Sequence, residues 1–205
     1  MNKGVKTETQ PIKWSKAMML LDTLRDKNQD NTRMMLACGF FFGLRISDIL
    51  KLTWEDILTD EFTIKEKKTS KERHISLDPK FKEIRDQIIS AKDQEPNGLI
   101  FTYKRKGADQ TKPISTVAAN KRIKKVFEAY DIQCKNPSSH TLRKTFGLRI
   151  YEVYNRCEDA LVLLSQIFNH QDISITRRYI GITQRRISNA YMSLSSGKPD
   201  FNESK

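Results

Sequence analysis

A chain of 205 residues has the length of one ordinary domain, or one domain and a fragment, which excludes a multidomain machine. Hydrophobic residues at 38%, with 9% aromatics, can furnish a buried core and exclude wholesale disorder. Lys and Arg number 37 against 25 Asp and Glu, and the resulting formal charge of +12 points to a polyanionic partner, nucleic acid ahead of an anionic membrane surface.

Residues 1–11 read as a disordered lead; their lysine is followed by no apolar stretch, so they do not form a secretory signal. Ala17, Leu20, Leu21 and Leu24 recur at helical spacing within residues 15–27. Residues 32–42 predict a second helix, almost wholly apolar and therefore buried, ending at Gly43. The longest apolar run, residues 34–44, is 11 residues, short of the ~18 needed to span a membrane. No membrane partner and a cytoplasmic location are the expectation. A short helical piece follows over residues 47–52. Phe62, Ile64, Ile75 and Leu77 then alternate with polar residues around a Lys-Thr-Ser-Lys-Glu turn, predicting a β-hairpin. Pro79 opens a helix to about Lys92, Asn97-Gly98 marks a turn, and residues 103–113 form a polar basic loop.

Three amphipathic helices come next. Ile123, Val126, Phe127 and Tyr130 line the first; Leu142, Phe146, Ile150 and Val153 the second; Ala160, Leu161, Leu164, Ile167 and Phe168 the third. A last helix over residues 183–194 places Ile187, Ala190, Tyr191 and Leu194 on one side. The fold class is mainly α with a small antiparallel β-hairpin. Cys38, Cys134 and Cys157 are odd in number and widely spaced, which fits reduced thiols better than a disulfide framework or a zinc cluster.

The positive charge is concentrated. Residues 101–156 hold 13 Lys or Arg and four acids, a net +9, and the other 149 residues carry only +3. A surface that tracks phosphates requires such clustering, and a Lys-rich face that keeps the protein soluble accounts for it equally well.

Several residues have chemical potential. Arg45 follows the apolar helix directly, so its stem is expected to be buried and its planar fork, matched to two phosphate oxygens, held in place. Asp48 is positioned to hold that fork or to cap the next helix; a structural ion pair is the plainer role for Arg45. His140 and Arg143 share one face at the start of a helix, where its dipole attracts an anion, with Leu142 pointing inward; alternatively His140 sits beside a Ser138 or Ser139 cap and Arg143 on the surface. Asn169 suits a left-handed helix end, which exposes His170 on the turn that follows. Tyr179 is one of six tyrosines, and by itself most simply a packing residue.

Taken in order, Gly-Leu-Arg-x-Ser-Asp, a hairpin Lys-Thr-x-Lys-Glu-Arg, His-x-Leu-Arg, and Asn-His with a tyrosine nine positions on resemble the catalytic domain of the tyrosine recombinases, the phage integrase family. The resemblance spans residues 12–194, leaving 195–205 as a disordered tail. It implies that Arg45 and Arg143 bind the scissile phosphate, that Lys68 is the hairpin lysine, that His140 and His170 complete the site, and that Tyr179 is the nucleophile. The motif selects Lys68 over the nearby Lys65, Lys67 and Lys71, and strand alternation sets it on the side of Phe62 and Ile64. Lys71, Arg73, Lys104, Arg105, Lys121, Lys124, Lys144 and Arg177 are the expected DNA contacts. Asn169 departs from the glycine usual before the histidine, and Lys144 from the histidine that often follows the arginine.

The implied reaction is attack on a DNA phosphodiester to give a 3′-phosphotyrosine, followed by strand exchange and religation. A phenol of pKa ~10 lies roughly 4 kcal/mol from its phenolate at neutral pH, and neighbouring cations must supply that difference. Neither ATP nor a metal nor another cofactor is expected: Asp48, Glu55 and Asp56 are close in sequence, whereas a two-metal site draws carboxylates from several segments. Double-stranded DNA and further protomers are the expected partners, a tetramer on DNA and a monomer or weak dimer when free. The DNA-clamping domain usual ahead of this one is expected to be absent, since only 44 residues precede Arg45. A DNA-binding regulator that has lost activity and a monomeric topoisomerase are the competing readings.

Overall fold

The computed structural model describes residues 9–68, 70–91, 98–103, 109, 111–182, 191, 193 and 194. The chain divides into two compact units, Met1–Phe146 and Gly147–Lys205. Among the described residues the architecture is mainly helical, with one two-stranded antiparallel sheet.

In the first unit, α1 (Trp14–Asp26) buries Ala17, Leu20, Leu21 and Leu24, the predicted stripe. Helix α2 (Asp30–Phe42) is the centre of the unit: it is buried along nearly its whole length and touches α1, α3, α5 and α6. It ends as expected at Gly43, whose φ of +57° is left-handed. Helices α3 (Ile46–Ile49) and α4 (Trp54–Leu58) follow. The second is absent from the sequence expectation, although Thr53 and Asp56 form a reciprocal capping box that opens it.

Strands β1 (Glu61–Lys65) and β2 (Glu72–Ser76) pair with Phe62 opposite Ile75 and Ile64 opposite Arg73. Period-two alternation carries Phe62, Ile64 and Glu66 to the inner side, met there by Arg73, Ile75 and Leu77. The strand stops at Lys65, and Glu66 closes a tight loop, its N–H donating to Lys71 O and its carbonyl accepting from Ser70 N–H, each at 2.9 Å. Lys68 therefore sits exposed on the loop, and the alternation that assigned it to the Phe62 side ends before reaching it.

Helix α5 (Pro79–Ser90) starts at a Pro behind an Asp78 cap, and α6 (Thr116–Ala129) buries Ala119, Ile123, Val126 and Phe127. Residues 9–11 are tied down rather than disordered, because Lys144 Nζ is buried and donates to Thr9 O at 2.7 Å. Cys134 Sγ donates to Gln10 O nearby. All three cysteines are free thiols.

The division between the units falls inside α7 (Ser139–Val153). Its buried face runs through Thr141, Leu142, Thr145, Leu148 and Tyr151, and Val153, expected on the apolar stripe, is 54% exposed. The mixed polar character of that face blurs the periodicity from which the stripe was read. In the second unit, α8 (Glu158–Phe168) buries Ala160, Leu161, Leu164 and Phe168 and packs on α9 (Ile173–Tyr179), a short helix that the sequence expectation lacks. Gly147 on α7 lets Phe168 and Ile180 close in, since a Cβ there would meet Ile180 Cγ2 at 2.7 Å. The expected disorder of residues 1–8 and 195–205 lies outside the described residues, and so does the last helix apart from Tyr191 and Leu194, both strongly exposed.

Candidate active site

In the first unit the site is built around the end of α2. A helix C-terminus presents carbonyls without intrahelical partners and the negative end of the dipole. Two guanidiniums take them: Arg73 Nη2 donates to Phe42 O at 2.6 Å, and Arg143 Nη1 donates to Gly43 O at 2.5 Å. Both side chains are pulled inward by these bonds. The approach of α7 that brings Arg143 there depends on glycines, for a Cβ at Gly39 would lie 2.6 Å from Leu142 Cδ1 and one at Gly43 2.3 Å from Phe146 Cδ1.

Arg45 leaves the same turn two residues later, and its Nη1 pairs with Glu66 Oε2 at 2.5 Å. Glu66, buried on the hairpin, also has Oε1 3.8 Å from Arg73 Nη1. The expected partner of Arg45, Asp48, serves elsewhere: its buried carboxylate accepts the Lys67 backbone N–H at 3.0 Å, tying the hairpin loop to the Arg45 turn. Burial first, and then the charge of Arg143, pull the Arg73 pKa down to about 10, with Glu66 and Asp48 working against them. It stays protonated at neutral pH.

His140 stands exposed at the start of α7. Crowding by surrounding protein, followed by the charges of Arg143, Lys144 and Arg45, holds its pKa below the ordinary histidine value. At the helix start, Asn120 Oδ1 accepts the Ser139 N–H at 2.9 Å.

In the second unit, Asn169 is the left-handed end of α8 (φ +52°), and His170 leaves the helix there with its N–H on Ser165 O. The hydroxyl of buried Thr176 meets His170 Nδ1 at 2.8 Å, which fixes the ring. His170, Phe168 and Tyr179 form a triangle of rings with every pair of centroids 5.4 Å apart. Tyr179 is the last residue of α9 and half-buried, held by two aromatic edges rather than loose on the surface.

The expected DNA contacts divide. Lys71, Lys121 and Lys124 are exposed, the last only loosely paired with Glu128 at 3.8 Å. Arg177 is partly exposed and pairs with Glu158. Arg73 and Lys144 turn inward: half-buried Arg73 donates from Nη2 to Phe42 O, and buried Lys144 donates from Nζ to Thr9 O. Lys104 and Arg105 lie outside the described residues. Glu66, which pairs with Arg45, is a residue the sequence reading passes over, and its signal was its place one step beyond β1 on the inner side that Phe62 and Ile64 begin. Among the described residues, no group of three or more His, Cys, Asp or Glu is arranged to hold a metal ion, and no helix is long and apolar enough to cross a membrane.

Residues 12–186 match the phage integrase family, and the chain belongs to it. It is 36% identical over 158 residues to a probable integrase/recombinase, YoeC, of Bacillus subtilis (strain 168), covering 74% of this chain and 80% of that one. Its fold is that of solved site-specific recombinases. XerH bound to its palindromic difH substrate superposes with a TM-score of 0.65 at 16% identity, over 91% of this chain and 53% of that one. A lambda integrase dimer bound to a COC′ core site gives 0.64 at 15% identity, over 90% and 51%. The chain thus spans about half the length of these two recombinases.

Proposed function

We propose that this chain is the catalytic domain of a site-specific DNA recombinase that breaks and rejoins double-stranded DNA through Tyr179. The observation that carries the reading is the turn after α2, where Arg143 is bonded to Gly43 O and Arg45 is fixed by Glu66, two forked cations of the kind a phosphodiester calls for. Membership of the phage integrase family supports it. Arg45 and Arg143 hold the non-bridging oxygens and stabilise charge growing on them. The Tyr179 oxygen forms a bond to phosphorus as its phenolic proton passes to water, and the bond from phosphorus to the 5′-oxygen breaks. Lys68 gives that oxygen its proton. His140 and His170 supply hydrogen bonds to the phosphoryl group. The 3′-phosphotyrosine conserves the diester's energy, so the 5′-hydroxyl of a second strand reseals it without ATP or metal.

XerH and lambda integrase were solved on DNA, the latter as a dimer, and on that analogy the partners here are duplex DNA and further protomers, in the cytoplasm. The test uses 5′-labelled duplexes of randomised sequence, each with one nick, so that the short fragment beyond the cleaved bond diffuses away. Wild type is expected to leave a denaturant-resistant protein–DNA adduct, and DNA binding with no adduct overturns the reading in favour of a regulator. Relaxation of supercoiled plasmid by the monomer favours a topoisomerase instead.

A further inference from the structure

We infer that Glu66 is a positioning residue of this site, holding the Arg45 fork toward substrate through a clasp between the hairpin loop and the turn after α2; the inference rests on the function proposed above. The clasp runs in both directions. From the hairpin, Glu66 Oε2 takes Arg45 Nη1 at 2.5 Å, and from the turn, Asp48 Oδ1 takes the Lys67 N–H at 3.0 Å, one residue before Lys68. Arg45 and the loop that bears Lys68 are thereby set with respect to each other. Only Nη1 of Arg45 is engaged among the described residues, so Nε and Nη2 stay available to a phosphate while the fork's rotation is fixed.

The charge balance makes Glu66 more than a convenient acceptor. Arg73 feels both Arg45 and Arg143 as repulsive neighbours, with Glu66 and Asp48 as the opposing charges. Glu66 is nearly fully buried, and its two oxygens face two different arginines. A neutral side chain of the same shape leaves the three guanidiniums facing one carboxylate. Arg45, 21% exposed, is the one able to swing away.

The experiment compares wild type with Glu66→Gln, Glu66→Asp, Arg45→Ala and the Arg45→Ala/Glu66→Gln double variant, on the randomised nicked duplexes. Single-turnover adduct formation at saturating DNA is measured beside DNA affinity and urea stability. Glu66→Gln is expected to slow adduct formation 10- to 100-fold while affinity changes less than threefold, with Glu66→Asp, which keeps the charge, between it and wild type. On the Arg45→Ala background, followed over hours, Glu66→Gln is expected to add less than threefold, because its effect passes through Arg45. Wild-type rates in both Glu66 variants, or a loss that multiplies with that of Arg45→Ala, overturn the inference while leaving the proposed function standing. Should Glu66→Gln not fold, the same comparison is made with Glu66→Asp alone. Absence of an adduct from wild type overturns the functional reading, and this inference with it.

Discussion

Gly43→Ala puts the geometry of the site to a quantitative test. An L-residue held at φ +57° pays about 1 kcal/mol for the left-handed conformation. The new Cβ would stand 2.3 Å from Phe146 Cδ1 and 2.7 Å from Cγ, so the half-buried ring or the turn must move, at the ~1–3 kcal/mol typical of overpacking. The sum is about 3 kcal/mol, which at ~2–4 °C per kcal/mol for a chain of this length lowers Tm by ~6–12 °C. Gly98→Ala is the control, for φ is +63° there and nothing lies within 4 Å of an added Cβ. It should cost about 1 kcal/mol, the backbone component alone. Urea and thermal unfolding of the two variants separate packing from conformation. Because the Gly43 carbonyl holds Arg143 and the turn launches Arg45, adduct formation should fall in Gly43→Ala even well below its Tm and stay normal in Gly98→Ala. Equal stability losses in the two variants would refute the claim that the close approach of α7 shapes this turn.

Other expectations are simpler to check. Tyr179→Phe should abolish the adduct with DNA affinity unchanged in gel shift, and an adduct persisting in it means another tyrosine attacks. Arg45→Ala and Arg143→Ala should each lose on the order of 3 kcal/mol of transition-state stabilisation, about a hundredfold in rate; near-normal cleavage by either removes it from the site. Charge reversal at the exposed Lys121 and Lys124 should weaken binding alike for all sequences and flatten the slope of log K against log salt by ~1 per lysine, and an unchanged slope shows that neither meets a phosphate. The pKa of His140 is lowered in the folded state, so the unfolded chain binds that proton more readily, and stability falls as pH drops below ~6.5 toward the folded value, with no contribution above ~6.5. His140→Gln should flatten that segment of the urea-stability profile; profiles that stay parallel would contradict the crowding.

The long helices were legible for different reasons: α1, α6 and α8 lie where apolar spacing predicts, because burial on one side leaves its period in the sequence, α2 where an almost wholly apolar run predicts, and α5 where Pro79 opens it. The left-handed ends at Gly43 and Asn169 were legible for a backbone reason, since few residues tolerate positive φ. The short helices α4 and α9 were not, because each has barely two turns in which to show a period, although the Thr53–Asp56 box was there to be read. The inward turn of Arg73 and Lys144 was missed for another reason. A basic residue on a basic chain is taken for surface, whereas what decides its direction is an orphan carbonyl: Phe42 O for Arg73 and Thr9 O for Lys144. Those acceptors lie 31 and 135 positions away, beyond any local pattern. Alternation did hold the clue for Arg73, which faces Ile64 across the hairpin.

Three guanidiniums gathered at one turn repel each other, and what offsets that repulsion also explains why the cluster suits a phosphodiester. Arg73 and Arg143 lie on the last carbonyls of α2, where the helix dipole adds roughly half a negative charge. Glu66 and Asp48 add two carboxylates, the first touching Arg45 and the second among the charges felt by Arg73. Against three positive charges this leaves an excess of roughly half a unit, since the dipole is worth about that much. The excess is small enough for the half-buried Arg73 to stay protonated, at a pKa of about 10, and it has the sign that a singly charged phosphodiester neutralises. With fewer carboxylates the arginines would spread apart before DNA arrived; with one more, the phosphate would meet a surface already satisfied. On the function proposed above, the number of buried acids around the Arg45 turn is expected to tune the site as directly as the arginines do.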